Sequence, residues 1–132
     1  IRYDNNQKVL WKKNHYSKLE KKLKPKLNFV LVDQNLLITD SISKYYSINV
    51  NSGELIWSKN NIYPFNSEIK RSKNKIFVVD YKNTLRCYNI NDGSECWNLP
   101  TEDSFTISSS NFSLGLIFKC FIYTRFSAFF WT

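Results

Sequence analysis

The stretch NVNSGELIW, Asn49–Trp57, returns forty residues later as NINDGSECW, Asn89–Trp97. Sliding the chain by forty residues lays Leu36–Ser58, LLITDSISKYYSINVNSGELIWS, over Ile76–Asn98, IFVVDYKNTLRCYNINDGSECWN, without a gap. Asp40 then meets Asp80, Asn49 meets Asn89, Asn51 meets Asn91, Gly53 meets Gly93 and Trp57 meets Trp97. A third copy of the end lies upstream, where NNQKVLWKKN, Asn5–Asn14, matches NSGELIWSKN, Asn51–Asn60. In that copy Trp11 holds the tryptophan position and Gln7 stands in place of the glycine. Self-similarity at such a period is the mark of a repeat architecture, in which each unit needs its neighbours to cover its apolar faces.

Each unit reads as short strands. NLLITD and KIFVVD are compact apolar runs ending at Asp, and KYYSINV and TLRCYNI follow them. NSGE and NDGS then mark a turn, because glycine takes positive φ without steric cost and Asn or Asp beside it signals a hairpin. ELIW and SECW close the unit, and LNFVLVD and NSEIKRS supply a further strand ahead of each compact run. Four strands per forty residues predict an all-β chain, a partial β-propeller with about two complete four-stranded blades and pieces of two neighbours. A β-sandwich with two similar halves is the competing arrangement. The one helix-like patch, SKLEKKLKPK, is short and stopped by Pro25. The expected divisions are residues 1–14, the last strand or strands of a preceding blade; 15–26, a basic connector; 27–60, one blade; 61–100, the next; and 101–132, the start of a further one.

Charge supports this division. The net charge is +8, yet residues 1–26 hold nine Lys/Arg against two Asp/Glu, and residues 27–132 hold ten against nine. The basic character therefore belongs to one segment, which argues against a nucleic-acid-binding fold. The Lys-rich run 12–26 reads as a solvated loop between blades, or as a surface for an acidic partner or anionic lipid headgroups. Its aromatics are too few to stack bases.

Residues able to do chemistry are sparse. The single histidine, His15, sits in the Lys-rich run and is expected to be exposed and non-catalytic. Cys87, Cys96 and Cys120 have no metal-ligand spacing, and their odd number argues against a disulfide framework. They read as half-buried free thiols. Three glycines are too few for most phosphate loops. Asp40 and Asp80 occupy equivalent places in adjacent units, so their expected role is to cap turn backbone. No catalytic, cofactor-binding or metal site is predicted.

The pattern of apolar strand, Asp, aromatic strand and Asn-x-x-Gly-x-x-x-Trp resembles the PQQ-like β-propeller repeat over roughly residues 1–100. The resemblance implies that Trp57 and Trp97, and by the repeat Trp11, dock between blades near a neighbour's glycine turn. Within that family the chain is most similar to the BamB-like lipoproteins of outer-membrane-protein assembly. This implies a non-enzymatic bacterial scaffold that meets protein partners through the propeller surface, without cofactor. It also implies a place in the periplasm or at the outer membrane of a Gram-negative bacterium, near the membrane through a lipid anchor outside this stretch. The alternative is a fragment of a PQQ-dependent dehydrogenase, an oxidoreductase holding quinone and calcium; a surface sensor propeller is a third class.

Two features suggest a piece of a longer chain. The sequence starts without Met, and after Asp103 it carries no acidic residue. NFSLGLIFKCFIYTRFSAFFWT, Asn111–Thr132, begins in the forty-residue register and then loses the Asp, the aromatic strand and the glycine turn. A truncated or frame-shifted end after about residue 118 is the preferred expectation, and a membrane-associated tail is its rival.

Overall fold

The computed structural model describes residues 1–101. The predicted irregular end after residue 118 lies outside the described residues, as does Cys120.

Among the described residues ten strands and one short helix follow one another: β1 (Arg2–Tyr3), β2 (Val9–Trp11), α1 (Lys18–Lys22), β3 (Leu27–Val32), β4 (Asn35–Asp40), β5 (Lys44–Asn49), β6 (Leu55–Asn60), β7 (Lys70–Ser72), β8 (Lys75–Val79), β9 (Thr84–Asn89) and β10 (Glu95–Pro100). β3-β4-β5-β6 form one antiparallel meander, β7-β8-β9-β10 a second, and β1-β2 a two-stranded ribbon. β4, β5 and β6 begin at Asn35, Lys44 and Leu55, forty residues ahead of β8, β9 and β10 at Lys75, Thr84 and Glu95.

The backbone repeats even where the residues do not. Positive φ recurs at Asp33 and Lys73, at Ser43 and Asn83, and at Gly53 and Gly93. Ser43 and Asn83 follow Asp40 and Asp80 in three-residue hairpin loops that need a left-handed residue at the end. In each loop one carboxylate oxygen closes the turn. Asp40 Oδ1 accepts from the backbone N–H of Ile42 and Lys44, and Asp80 Oδ1 from Lys82 and Thr84.

The first turn departs from the sequence alignment. Gln7 was aligned with Gly53, but Asp4 Oδ1 accepts from Asn6 and Lys8, and the amide of Gln7 donates to Asp4 O at 3.1 Å. Gln7 has φ 63°. This is the Asp40 and Asp80 loop, placed where the later units use the longer loop in which Gly53 and Gly93 donate to Asn49 O and Asn89 O. Asp4–Gln7 therefore matches Asp40–Ser43 and Asp80–Asn83. The 46-residue offset from Asn5–Asn14 to Asn51–Asn60 concealed this, because Trp11 still falls in place after a loop one residue shorter.

Alternation gives each sheet two apolar faces. Val30, Leu37 and Ser47 lie in register across the first sheet, and Phe29, Ile38 and Tyr46 across its other face. The first face meets the second sheet in the largest core, built from Val32, Leu37, Tyr45, Phe65, Ile69, Ile76, Val78, Tyr88 and Ile90 with Val30 and Trp57 against it. The other face meets the N-terminal segment in a smaller cluster of Ile38, Tyr46 and Ile48, covered by Trp11, Tyr16 and Leu36. Ordinary burial energetics, about 25 cal/mol per Å² of apolar surface, make these two clusters the principal cohesion between sheets.

Candidate functional site

The repeat residues converge on two seams. In each, a tryptophan from the last strand of one unit lies flat against the glycine turn of the next. A Cβ built on Gly93 would fall 2.6 Å from Trp57 Cζ3, and one on Gly53 would fall 2.7 Å from Trp11 Cδ2. Glycine is needed twice over, for the ring contact and for φ of +70° and +71°. The indole N–H completes the joint: Trp57 Nε1 donates to Ile90 O at 3.0 Å, and Trp11 Nε1 to Val50 O at 2.8 Å.

A β-bulge aims each tryptophan. The register shifts between Glu95 and Trp97, between Ser47 and Ile48 opposite Leu55 and Trp57, and between Arg2 and Tyr3 opposite Trp11 and Val9. Cys96, Ile56 and Leu10, each immediately before its tryptophan, are thus the extra residues. Bulges re-aim the side chain that follows them. No residue type in VLW, LIW or ECW announces this, so the sequence reading missed it. Trp97 has the Phe77 ring at 5.9 Å; its expected docking against a further turn involves residues outside the described ones.

Asn49 and Asn89 brace the glycine loops from inside. Asn49 Oδ1 accepts from the amides of Asn51 and Ser52, while Asn89 Nδ2 donates to Ser94 Oγ. Asn51 Oδ1 accepts from Arg2 across the first seam. Asn91 is exposed in the second loop.

The seams differ in what surrounds this shared joint. Around Gly93 the lining is aromatic. Tyr45 donates from its hydroxyl to Gly93 O at 3.0 Å and lies 4.5 Å from the Tyr88 ring, with Phe65 edge-on to both. Burial pushes the Tyr45 phenol up to about 12. Around Gly53 the lining is polar. His15 Nε2 lies 3.1 Å from Gly53 O, so this histidine is half-buried in the seam and not exposed as expected. The sequence hid this because the Lys-rich run turns back onto the sheet. Tyr16 donates to Asp40 Oδ2 at 2.7 Å, and Lys44 Nζ donates to His15 O at 2.7 Å. Burial first, then the neighbouring Tyr46 and Asp40, pushes the Tyr16 phenol well above its ordinary range.

Asp40 and Asp80 are both buried, at 1% and 0% exposure, so neither is free to face a substrate. Their second oxygens have different partners. Asp80 Oδ2 pairs with Arg86 Nε at 2.7 Å, and Arg86 also holds Glu95 at 2.8 Å. Burial alone would lower the Arg86 pKa, but the hydrogen bonds to Asp80 and Glu95 outweigh it and raise it. Tyr46 occupies the Arg86 position in the first sheet, and Tyr16 supplies the missing donor. Among the described residues no group of three or more His, Cys, Asp or Glu is placed to hold a metal ion.

A family model described as outer membrane protein assembly factor BamB matches residues 1–115. No curated protein matches the chain. Among solved structures, BamB from Moraxella catarrhalis is similar at 17% identity and TM-score 0.51, over 58% of this chain and 23% of that one. A quinohemoprotein alcohol dehydrogenase from Comamonas testosteroni is similar at 22% identity and TM-score 0.51, over 58% and 13%. The Pan2 WD40 domain of Neurospora crassa is similar at 23% identity and TM-score 0.50, over 61% and 26%. The chain thus spans about a quarter of the length of the BamB structure it resembles. These likenesses concern the fold, and the fold is a segment of a β-propeller.

Proposed function

The chain belongs to the family of outer membrane protein assembly factor BamB, and on that premise we propose that it is part of a non-enzymatic propeller scaffold that holds protein partners on its surface. Its setting in this reading is the periplasm or the outer membrane of a Gram-negative bacterium, and its task is outer-membrane protein assembly. The family match carries the reading. The use of the repeat residues supports it: Trp11, Trp57, Gly53, Gly93, Asp40 and Asp80 are engaged in joining sheets and closing turns, which leaves the outer surface for contact.

The dehydrogenase reading shares the fold, since a quinohemoprotein alcohol dehydrogenase is among the similar structures. A titration of the full-length protein with pyrroloquinoline quinone and calcium separates the two. The scaffold reading expects no stoichiometric quinone binding and no alcohol oxidation. It also expects in-cell crosslinking to recover outer-membrane assembly proteins. Stoichiometric quinone binding would overturn it.

A further inference from the structure

The connector between the N-terminal ribbon and the first full sheet is built, not merely solvated. Ser17 caps α1, accepting from the Glu20 amide through Oγ, while Glu20 Oε2 accepts from the Ser17 amide at 2.7 Å. Glu20 Oε1 also lies 3.3 Å from Lys44 Nζ on the sheet. Tyr16 is tied to Asp40, and His15 to Gly53 and Lys44. These bonds hold the helix in place from its N-terminal side and engage the only acidic residue between positions 12 and 26.

Such anchoring turns two leucines outward. Leu19 is 73% exposed and Leu23 65%, and no residue of α1 is buried. Spaced by four, they lie on one helical face. In the same run Lys18, Lys21, Lys22, Lys24 and Lys26 are all exposed, and none makes an ion pair among the described residues. The corresponding connector after the first sheet also exposes an apolar side chain, Ile62, but it buries Phe65 in the core and carries no lysine between Asn60 and Ile69, so only the α1 connector joins exposed apolar residues to a cluster of lysines.

We infer that residues 17–26 form a docking knob for a lipid surface rich in anionic headgroups, with Leu19 and Leu23 entering the interface and the lysines meeting the phosphates. Two leucines present far less than the roughly 800 Å² per partner that a stable protein interface buries. A lipid interface needs no such area, because a small apolar wedge and several independent cationic contacts add together. Lysine stems also lie along apolar surface while their heads stay hydrated, which suits the headgroup boundary. The inference does not depend on the scaffold reading and would hold for a propeller of other function.

Flotation of the 132-residue chain with phosphatidylcholine vesicles, with and without phosphatidylglycerol, tests it. Binding is expected only with phosphatidylglycerol, weakening as salt rises. The double change Lys18→Glu with Lys22→Glu should weaken it about tenfold or more, and Leu19→Ser with Leu23→Ser should weaken it by about the same factor. Because these side chains are exposed, near-UV circular dichroism should be unchanged in both variants. A Leu23→Trp variant should shift its emission to the blue when the anionic vesicles are added. Equal binding to both kinds of vesicle, or binding undiminished by either double change, would overturn the inference. So would capture of the chain by polyglutamate with no vesicle binding, which would mark an acidic-polypeptide surface instead.

Discussion

The two seams are built on one joint and finished differently. Both lay a tryptophan on a glycine turn and send its N–H to the carbonyl three residues before that glycine. The Trp57–Gly93 seam then closes with Tyr45, Phe65 and Tyr88 around a core of nine buried residues. The Trp11–Gly53 seam closes with Arg2, His15, Tyr16 and Lys44 around a core of three. A repeat thus conserves the contact that sets the spacing of sheets and leaves the rest of the seam open to change. The aromatic seam draws on burial, whereas the polar one draws on hydrogen bonds, which contribute less net stability each but fix the connector that displays α1.

Truncating the two tryptophans is the strongest way to break this comparison. Trp57→Ala should cost about 3–5 kcal/mol, and Trp11→Ala clearly less, since fewer buried neighbours surround it. Urea unfolding followed by circular dichroism gives both values, and equal losses would show that the joint alone, not its surroundings, carries the seam. The glycines come next. Gly93→Ala and Gly53→Ala each force a left-handed alanine against an indole ring, at about 2–4 kcal/mol, and here the two seams should agree. Agreement at the joint with disagreement at the tryptophans would locate the difference in the surroundings.

The buried aspartates sharpen the contrast further. Asp80→Asn removes the countercharge from Arg86, whose remaining partner is the partly exposed Glu95, and should cost about 2–3 kcal/mol. Asp40→Asn keeps a turn-closing oxygen and loses one hydrogen bond from the neutral Tyr16, about 1 kcal/mol. Denaturant midpoints of the two variants check the difference. Ser43→Gly, at φ 80°, should stabilise by about 0.5–1 kcal/mol, and Asn83→Gly by less, because Asn tolerates the left-handed region.

Acid gives the mildest test, and it should reach the polar side at a higher pH than the aromatic one. The Ser17 amide, then the Ser17 hydroxyl and Lys44, hold the Glu20 carboxyl below its ordinary 4.5. A depressed folded pKa means the contribution is complete above 4.5 and is lost as pH falls through the lowered value. NMR shifts of the Ser17 and Glu20 amides should therefore report loosening of α1 below pH 4.5, whereas the Gly93 turn, where the Ser94 amide holds Asp92 below its ordinary 3.8, should begin to loosen only below pH 3.8.

Much of the architecture was legible because turns and alternation are local. Asp40, Asp80, Gly53 and Gly93 announce their loops, and the forty-residue spacing aligns β4–β6 with β8–β10. Gln7 misled because a turn type can change while the tryptophan after it keeps its place. His15 misled because a Lys-rich neighbourhood says nothing about where the chain folds back. The bulge before each tryptophan left no trace in residue type, since a bulge is a property of two paired strands.

Short-range chemistry was enough to establish strand positions, turn positions and the repeat that implies a seam, since each depends on φ preference, side-chain alternation or a repeat period. The partners were another matter. That Asp80 meets Arg86 while Asp40 meets Tyr16, that His15 reaches the Gly53 carbonyl, and that Leu19 and Leu23 face outward among lysines follow from packing between segments far apart in the chain. Such contacts depend on which surfaces are brought together when sheets stack, and no local preference encodes that.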